Sequence, residues 1–224
     1  MAPFSNLKVL DLSADFAGSY CSRLLGDFGA SVKKIVIENR EDRSSSYGPF
    51  INDDRVPTSS AMFHYMNYNK QVVSISSQSD VIRELALSAD LLIEDFSNKE
   101  IRTFGLNFAN IRELNPAIII CSMSPFGRGT KWEEKPWSDL TIQALTGMCS
   151  VNGEQGKSPL KEPGTESEFI TGANAFVASV AALMNRDATG IAQQVNVSVL
   201  KSVLHSYSPY LLAALHTGNP RQQQ

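Results

Sequence analysis

Several features are scarce in this 224-residue chain, and each scarcity excludes something. No Gly-x-Gly-x-x-Gly run is present, which removes the usual dinucleotide fingerprint. The 20 Lys and Arg nearly balance the 23 Asp and Glu, leaving a net charge of -3. That balance supplies neither a basic face for nucleic acid nor an acidic tail. No apolar run reaches the roughly 18 residues that a membrane-crossing helix needs, so no membrane partner is expected. The opening Met-Ala-Pro-Phe-Ser-Asn has no basic region leading into an apolar stretch and is not read as a secretory signal. Cys21, Cys121 and Cys149 are odd in number and widely spaced, as reduced, mostly buried thiols of a cytoplasmic protein would be. The three histidines, His64, His205 and His216, are scattered and read as structural. No Cys/His cluster has metal-ligand spacing, and no metal is expected.

What is there begins at Leu7. An apolar strand over 9–12 leads into the small residues Ala17-Gly18-Ser19, read as a turn. A helix ending in Asp27-Phe28-Gly29-Ala30 follows, then a strand over 32–37. This is a β-α-β unit whose first turn can admit a phosphate-bearing ligand. The polar stretch after Ile37 reads as a loop through Pro49 and Pro57, with a short helix over 60–66. Strands are predicted over 72–76, 91–96 and 117–123. The last is uninterrupted and apolar, as in a parallel sheet buried on both faces. Between them, Val81, Ile82, Leu85, Ala86 and Ala89 recur at helical spacing behind a Ser79 cap. Asn107 caps a helix that carries Phe108, Ile111 and Leu114 on one side and ends at Asn115-Pro116. Strands alternating with helices predict a doubly wound α/β sheet.

The second part is less regular. Loops are predicted over 127–136 and 153–164, helices over 139–148 and 173–186, and a strand over 194–198. A final apolar helix over 200–216 is bent near Pro209, before a polar tail, Gly218 to Gln224.

These pieces resemble the class III coenzyme A transferases, the family of formyl-CoA and carnitine-CoA transferases and α-methylacyl-CoA racemases. The resemblance runs through LDLSADFAGSYCSRLLGDFGA (10–30), MNYNKQVVSI (66–75), ADLLIEDF (89–96), FGLNFANIRELNPAIIICSMSPFGRG (104–129), SDLTIQALTG (138–147), EFITG (168–172) and TGIAQQVNVSVL (189–200). Each motif alone is weak, and their colinear order carries the resemblance. It implies a Rossmann-like, mostly parallel CoA-binding domain over 1–200. Residues 201–224 would be a helix and the start of a linker to a small domain that this chain lacks. It also implies chains roughly twice this length that interlock as a homodimer. The present chain is therefore expected to leave core surface uncovered.

By the same resemblance, Glu168 stands where the transferases place an aspartate, four residues before Gly172. That carboxylate would attack an acyl-CoA thioester and pass CoA to a second, small carboxylic acid. A glutamate is a departure from the pattern, and Glu168 also reads as an ordinary acid in the first turn of a helix. For coenzyme A, the resemblance points to the backbone of Asp15, Phe16 and Ala17, with Arg40 as a basic phosphate partner and Arg43 behind it. Asn67 and Lys70 match a stretch beside the adenosine. Asp95-Phe96 replaces the usual Asn-Phe, and Thr103 before Phe104 replaces the usual arginine. Phe126-Gly127-Arg128-Gly129, with Trp132 and Trp137, would line the substrate pocket. Racemase chemistry is disfavoured, because Ser138 stands where a histidine would precede Asp139. The expected function is CoA transfer between carboxylic acids. The alternatives left open are a catalytically weak CoA-binding half of a larger or fused protein, and a CoA-dependent lyase.

Overall fold

The computed structural model describes residues 2–76, 79–154 and 156–218. Six strands form one sheet in the order β3-β2-β1-β4-β5-β6, with β1 at Lys8–Asp11, β2 at Ser31–Ile37, β3 at Lys70–Ile75, β4 at Leu91–Glu94, β5 at Ile119–Ser124 and β6 at Gln194–Ser198. Every neighbouring pair is parallel, a stricter arrangement than the mostly parallel sheet expected. The chain reverses its direction of winding between β1 and β4. In an open α/β sheet, that switch point opens a crevice beyond the carboxyl ends of the strands.

Nine helices are described: α1 Phe16–Asp27, α2 Ala61–Met66, α3 Ser79–Leu87, α4 Asn98–Thr103, α5 Phe108–Leu114, α6 Asp139–Leu145, α7 Glu166–Thr189, α8 Val199–Ser206 and α9 Ser208–Thr217. One face of the sheet packs Val9, Leu91, Ile93, Ile119 and Cys121 against Cys21 and Leu25 of α1 and Ala175, Ala182 and Leu183 of α7. The other face packs Leu10, Leu92, Ile118 and Ile120 against Ile82 and Ala86 of α3 and Ile111 of α5. Alternate residues of each central strand thus serve opposite layers, so β4 and β5 are apolar and buried along most of their length.

Several boundaries differ from the sequence reading. Ala17, Gly18 and Ser19 lie inside α1, and the turn itself is Leu12 to Asp15. Gly18 is required for packing rather than for turning, since a Cβ there would fall 2.2 Å from the Ser13 Cβ. Helix α4 lies in a stretch for which no element was expected. Its capping box is explicit, with the Ser97 hydroxyl accepting from the Glu100 N–H and the Glu100 carboxylate accepting from the Ser97 N–H. Leu114 is exposed, and only Ile111 of its predicted stripe is buried. The final helix is two, broken at Tyr207 before Pro209. The Ser79 cap and the polar tail beyond Gly218 fall outside the described side chains and residues.

Helix α7 begins seven residues earlier than predicted and runs for 24 residues. By length and apolarity it passes the test for a bilayer-crossing helix. Here it packs as a core helix against α1, β5 and α8. Gly172 permits the approach to α1, because a Cβ at that position would lie 2.6 Å from the Ala17 carbonyl oxygen.

A buried charge network braces the β1–α1 turn. Asp11, at the end of β1, faces Lys34 Nζ at 3.7 Å and Lys70 Nζ at 3.1 Å, with all three side chains fully buried. Lys34 also meets Asp42 at 3.1 Å and donates to the Ser13 carbonyl. Ser13 and Ser22 hydroxyls donate to Asp11 at 2.5 Å each. Burial alone would raise the Asp11 carboxyl, but the two ammonium groups and two hydroxyls reverse this and hold it well below the carboxylate range. Burial brings Lys70 down to about 8, with Lys34 adding to the effect and Asp11 opposing it.

Two outcomes are expected. Asp11→Asn leaves two buried ammonium groups short of a counter-charge and should cost about 3–5 kcal/mol of stability in urea denaturation. Gly172→Ala must push α1 and α7 apart and should cost about 1–3 kcal/mol, read as a lower midpoint with an unchanged denaturant slope.

Candidate active site

The first turn of α1 has no local cap. Asp15 occupies the N-cap position, but its side chain bonds none of the free N–H groups. The N–H groups of Ala14, Asp15 and Phe16, at and just before the helix start, turn to two carboxylates brought from far along the chain. The Ala14 and Asp15 N–H groups donate to Asp95 at 2.8–3.0 Å. The Phe16 N–H donates to Glu168 Oε2 at 3.0 Å, across 152 sequence positions. Free helix N–H groups and the helix dipole both favour an anion at this point.

Glu168 lies in the first turn of α7 and is 0% exposed. The helix predicted from residue 173 begins at Glu166, so Glu168 lies in its first turn, the position that the plainer of the two sequence readings gave it. Its second oxygen, Oε1, accepts from Arg43 Nη1 at 3.0 Å. The same Nη1 donates to Asp15 Oδ1 at 2.8 Å. Two carboxylates therefore share one guanidinium. Burial first, and then the Asp15 charge, push the Glu168 carboxyl up to about 8 against the opposing pull of Arg43 and the Phe16 N–H. Asp15 is likewise raised, by burial and by Asp95.

Asp139, at the start of α6, steadies this turn of α7. Its Oδ1 accepts from the Ser167 N–H at 3.1 Å, and its Oδ2 meets Lys161 at 2.7 Å and Gln143 at 2.6 Å. Ser138, the position without a histidine, is the N-cap of α6.

The switch-point crevice has a volume of about 440 Å³ and is lined by Asp15, Arg40, Asp95, Thr103 and Phe104 among others. A second cavity of about 200 Å³ shares Asp15, Asp95 and Glu100 with it and extends to Phe96, Arg128 and Trp137. Most of the residues singled out from the sequence thus meet along one edge. Ala17 is buried against α7, behind this edge.

Arg40 is at the crevice but fully engaged. Its Nη2 donates to Asp95 at 2.6 Å, its Nε to Glu100 at 2.8 Å and its Nη1 to the Leu12 carbonyl at 2.7 Å, with the guanidinium 4.0 Å over the Phe96 ring. The Asp95 carboxylate, a departure from the usual asparagine, is compensated by this arginine and two backbone N–H groups. Asn67 and Lys70 sit elsewhere, beneath α1. Lys70 donates to Asp11 and to the Ser19 carbonyl, and Asn67 caps α2 with its Oδ1 3.3 Å from Lys70 Nζ. The Thr103 hydroxyl donates back to the Lys99 carbonyl.

Two features were not visible from spacing. Glu94, at the end of β4, is buried and pairs with Arg128 at 3.0 Å, fastening the Gly127–Gly129 loop to the sheet. Trp132 packs edge-on against Phe126, whereas Trp137 reaches the smaller cavity. Among the described residues, no group of three or more His, Cys, Asp or Glu is placed to hold a metal ion.

The family model for CoA-transferase family III matches residues 4–224. The chain belongs to that family. Curated relatives in the family include the succinate–glutarate CoA-transferase of Agrobacterium fabrum, 28% identical over 88% of this chain and 51% of the relative. The succinyl-CoA:mesaconate CoA-transferase of Haloarcula marismortui is 32% identical over 91% of this chain and 53% of its own length. A CAIB/BAIF family protein from Brucella suis superposes with a TM-score of 0.91 at 26% identity, covering 100% of this chain and 60% of that one. The chain thus spans about half the length of the curated relatives it matches.

The raised Glu168 carboxyl has a consequence for stability. A group that titrates near 8 when folded and near 4.5 when unfolded stabilises the fold fully below about pH 4.5, and loses that contribution as pH rises toward 8. Glu168→Gln keeps the hydrogen-bonding shape without titrating. It should match the parent at pH 4 and exceed it by about 1–3 kcal/mol at pH 8, measured by denaturation across pH.

Proposed function

We propose that this chain is the CoA-binding, nucleophile-bearing part of a class III CoA-transferase that moves coenzyme A between carboxylic acids, with Glu168 as the covalent carboxylate. The observation that carries this reading is the placement of Glu168. It is a buried carboxylate at the meeting point of two helix N-termini, beside the switch-point crevice, held by one backbone N–H and one guanidinium.

In this scheme ionised Glu168 attacks the thioester carbonyl, giving a mixed anhydride and releasing CoA thiolate. The thiolate then attacks the Glu168 acyl carbon, freeing the first acid and leaving a glutamyl-CoA thioester. The acceptor carboxylate attacks that thioester, releasing thiolate and forming a second anhydride. Attack of the thiolate on the acceptor acyl carbon gives the new CoA ester and restores Glu168. When the thiolate adds to the Glu168 carbonyl, negative charge grows on a glutamate oxygen. The Phe16 N–H already donates to such an oxygen, so it serves as a preorganised oxyanion donor. Arg43 opposes the burial of Glu168 and favours its ionised, nucleophilic form.

The form of the crevice supports coenzyme A binding there. It is open and lies at the switch point, and it carries Lys99 and Arg43 on its lining. Arg40 is spent on Asp95, Glu100 and a carbonyl, so phosphate binding falls to other cations than the one expected. This saturation, together with the closed position of Glu168, supports the second reading, a CoA-binding half of a larger or fused transferase or lyase. The exposed Leu211, Leu212 and Leu215 of α9 support a longer, homodimeric assembly that covers this face. Three free cysteines support a cytoplasmic setting.

The test is mass spectrometry of the full-length protein after incubation with a panel of acyl-CoAs. A CoA adduct on Glu168, removed by hydroxylamine and absent from Glu168→Ala, is expected. CoA binding without any adduct would favour the binding half. Because the ionised form is the nucleophile, kcat/KM should rise with pH through about 8 and then level off.

A further inference from the structure

Arg43 and Arg40 lie three positions apart at the same crevice, yet they are engaged in opposite ways. All three nitrogens of Arg40 are bonded inside the protein, and its side chain is 8% exposed. Arg43 uses Nη1 alone, for Asp15 and Glu168, and its side chain is 42% exposed. Among the described residues, its Nε and Nη2 donate to nothing. The residue is nonetheless well anchored. Its backbone N–H donates to the Ala14 carbonyl at 3.0 Å, and its guanidinium lies near the rings of Phe16, at 5.2 Å, and Trp137, at 5.7 Å. A planar guanidinium held in this way presents a two-donor edge that matches a carboxylate or a phosphate bidentately.

We infer that the Nε–Nη2 edge of Arg43 receives the non-reacting carboxylate of a dicarboxylic substrate. The inference rests on the transferase reading of Glu168. In an acyl-CoA, the phosphates and the thioester stand at opposite ends of the pantetheine arm. A cation that touches the nucleophile at 3.0 Å therefore serves the acyl end, where the acids bind. A carboxylate gripped bidentately has both oxygens tied up and cannot attack an acyl carbon. What the edge holds is thus a spectator group, and a spectator carboxylate requires a diacid. The local charge permits it. Burial raises the carboxyls of both Glu168 and Asp15, which lessens the negative charge that faces Arg43 before substrate enters.

The experiment compares glutarate with pentanoate, which has the same carbon chain and one carboxylate fewer. Binding of each is measured by titration calorimetry on the full-length protein, and CoA adduct formation at Glu168 is followed separately. The parent should bind glutarate at least 10-fold more tightly than pentanoate. Arg43→Gln should abolish that preference, bringing the affinities for the two acids within 2-fold of each other. Arg43→Lys, which keeps the charge but lacks the two-donor edge, should retain only part of it. Circular dichroism and denaturation midpoints show that the variants are folded. Equal binding of the two acids by the parent, no binding of either, or an equal loss of both in the variants would overturn the inference. An adduct at Glu168 alongside such a result would leave the transferase reading standing. An Arg43-dependent diacid preference without any adduct would uphold the carboxylate site and remove the transferase reading.

Discussion

Helix α1 is capped by carboxylates that the local chain does not provide. Asp95 comes from the end of β4 and Glu168 from the first turn of α7, and together they satisfy the N–H groups of Ala14, Asp15 and Phe16. A free helix N-terminus costs energy when buried, and an anion there gains from both hydrogen bonds and the dipole. The turn after β1, the end of β4 and the start of α7 are thereby tied to one another. The crevice at the switch point takes its shape from that tie. Gly172 makes the tie possible, since any larger residue would meet the Ala17 carbonyl and hold α7 away.

One consequence is that the candidate nucleophile also has a structural role. Glu168 is part of the cap of α1, and it is also a buried carboxylate next to another acid, with a carboxyl that titrates far above its ordinary range. Groups placed in this way cost stability at neutral pH and gain reactivity from a low-dielectric, preorganised setting. The longer glutamate side chain reaches from α7 across to α1.

A second consequence concerns the cations. Lys34 and Lys70 are consumed by Asp11 and Asp42 beneath the turn, and Arg40 by Asp95 and Glu100 at its side. These are buried, multiply bonded pairs, whose role is to hold geometry more than to add net stability. Arg43 differs by one short turn of chain. It bridges the two acids of the site and keeps a face open to the crevice.

Much of the fold was legible in the sequence, because burial on both faces of a parallel sheet writes itself as apolar runs such as Ile118 to Ile120, and amphipathic helices as a 3.6-residue period. Even α4, which that reading passed over, carries a legible Ser97-x-x-Glu100 box. Glu168 could be picked out by its distance from Gly172, and Asp95, Thr103 and Phe104 by their order along the chain. The partners of those residues could not. A charged side chain reads the same in sequence whether it faces solvent, a ligand or a buried counter-ion, so Lys70 and Arg40 looked like open coenzyme A contacts and Arg43 like a reserve. Only the packing of elements far apart in the chain decides between those states. Sequence periodicity thus determined the layers, and the colinear motifs the family resemblance. The tertiary structure decided which carboxylate meets which N–H group and which arginine keeps a free edge, because those are distances between residues up to 152 positions apart.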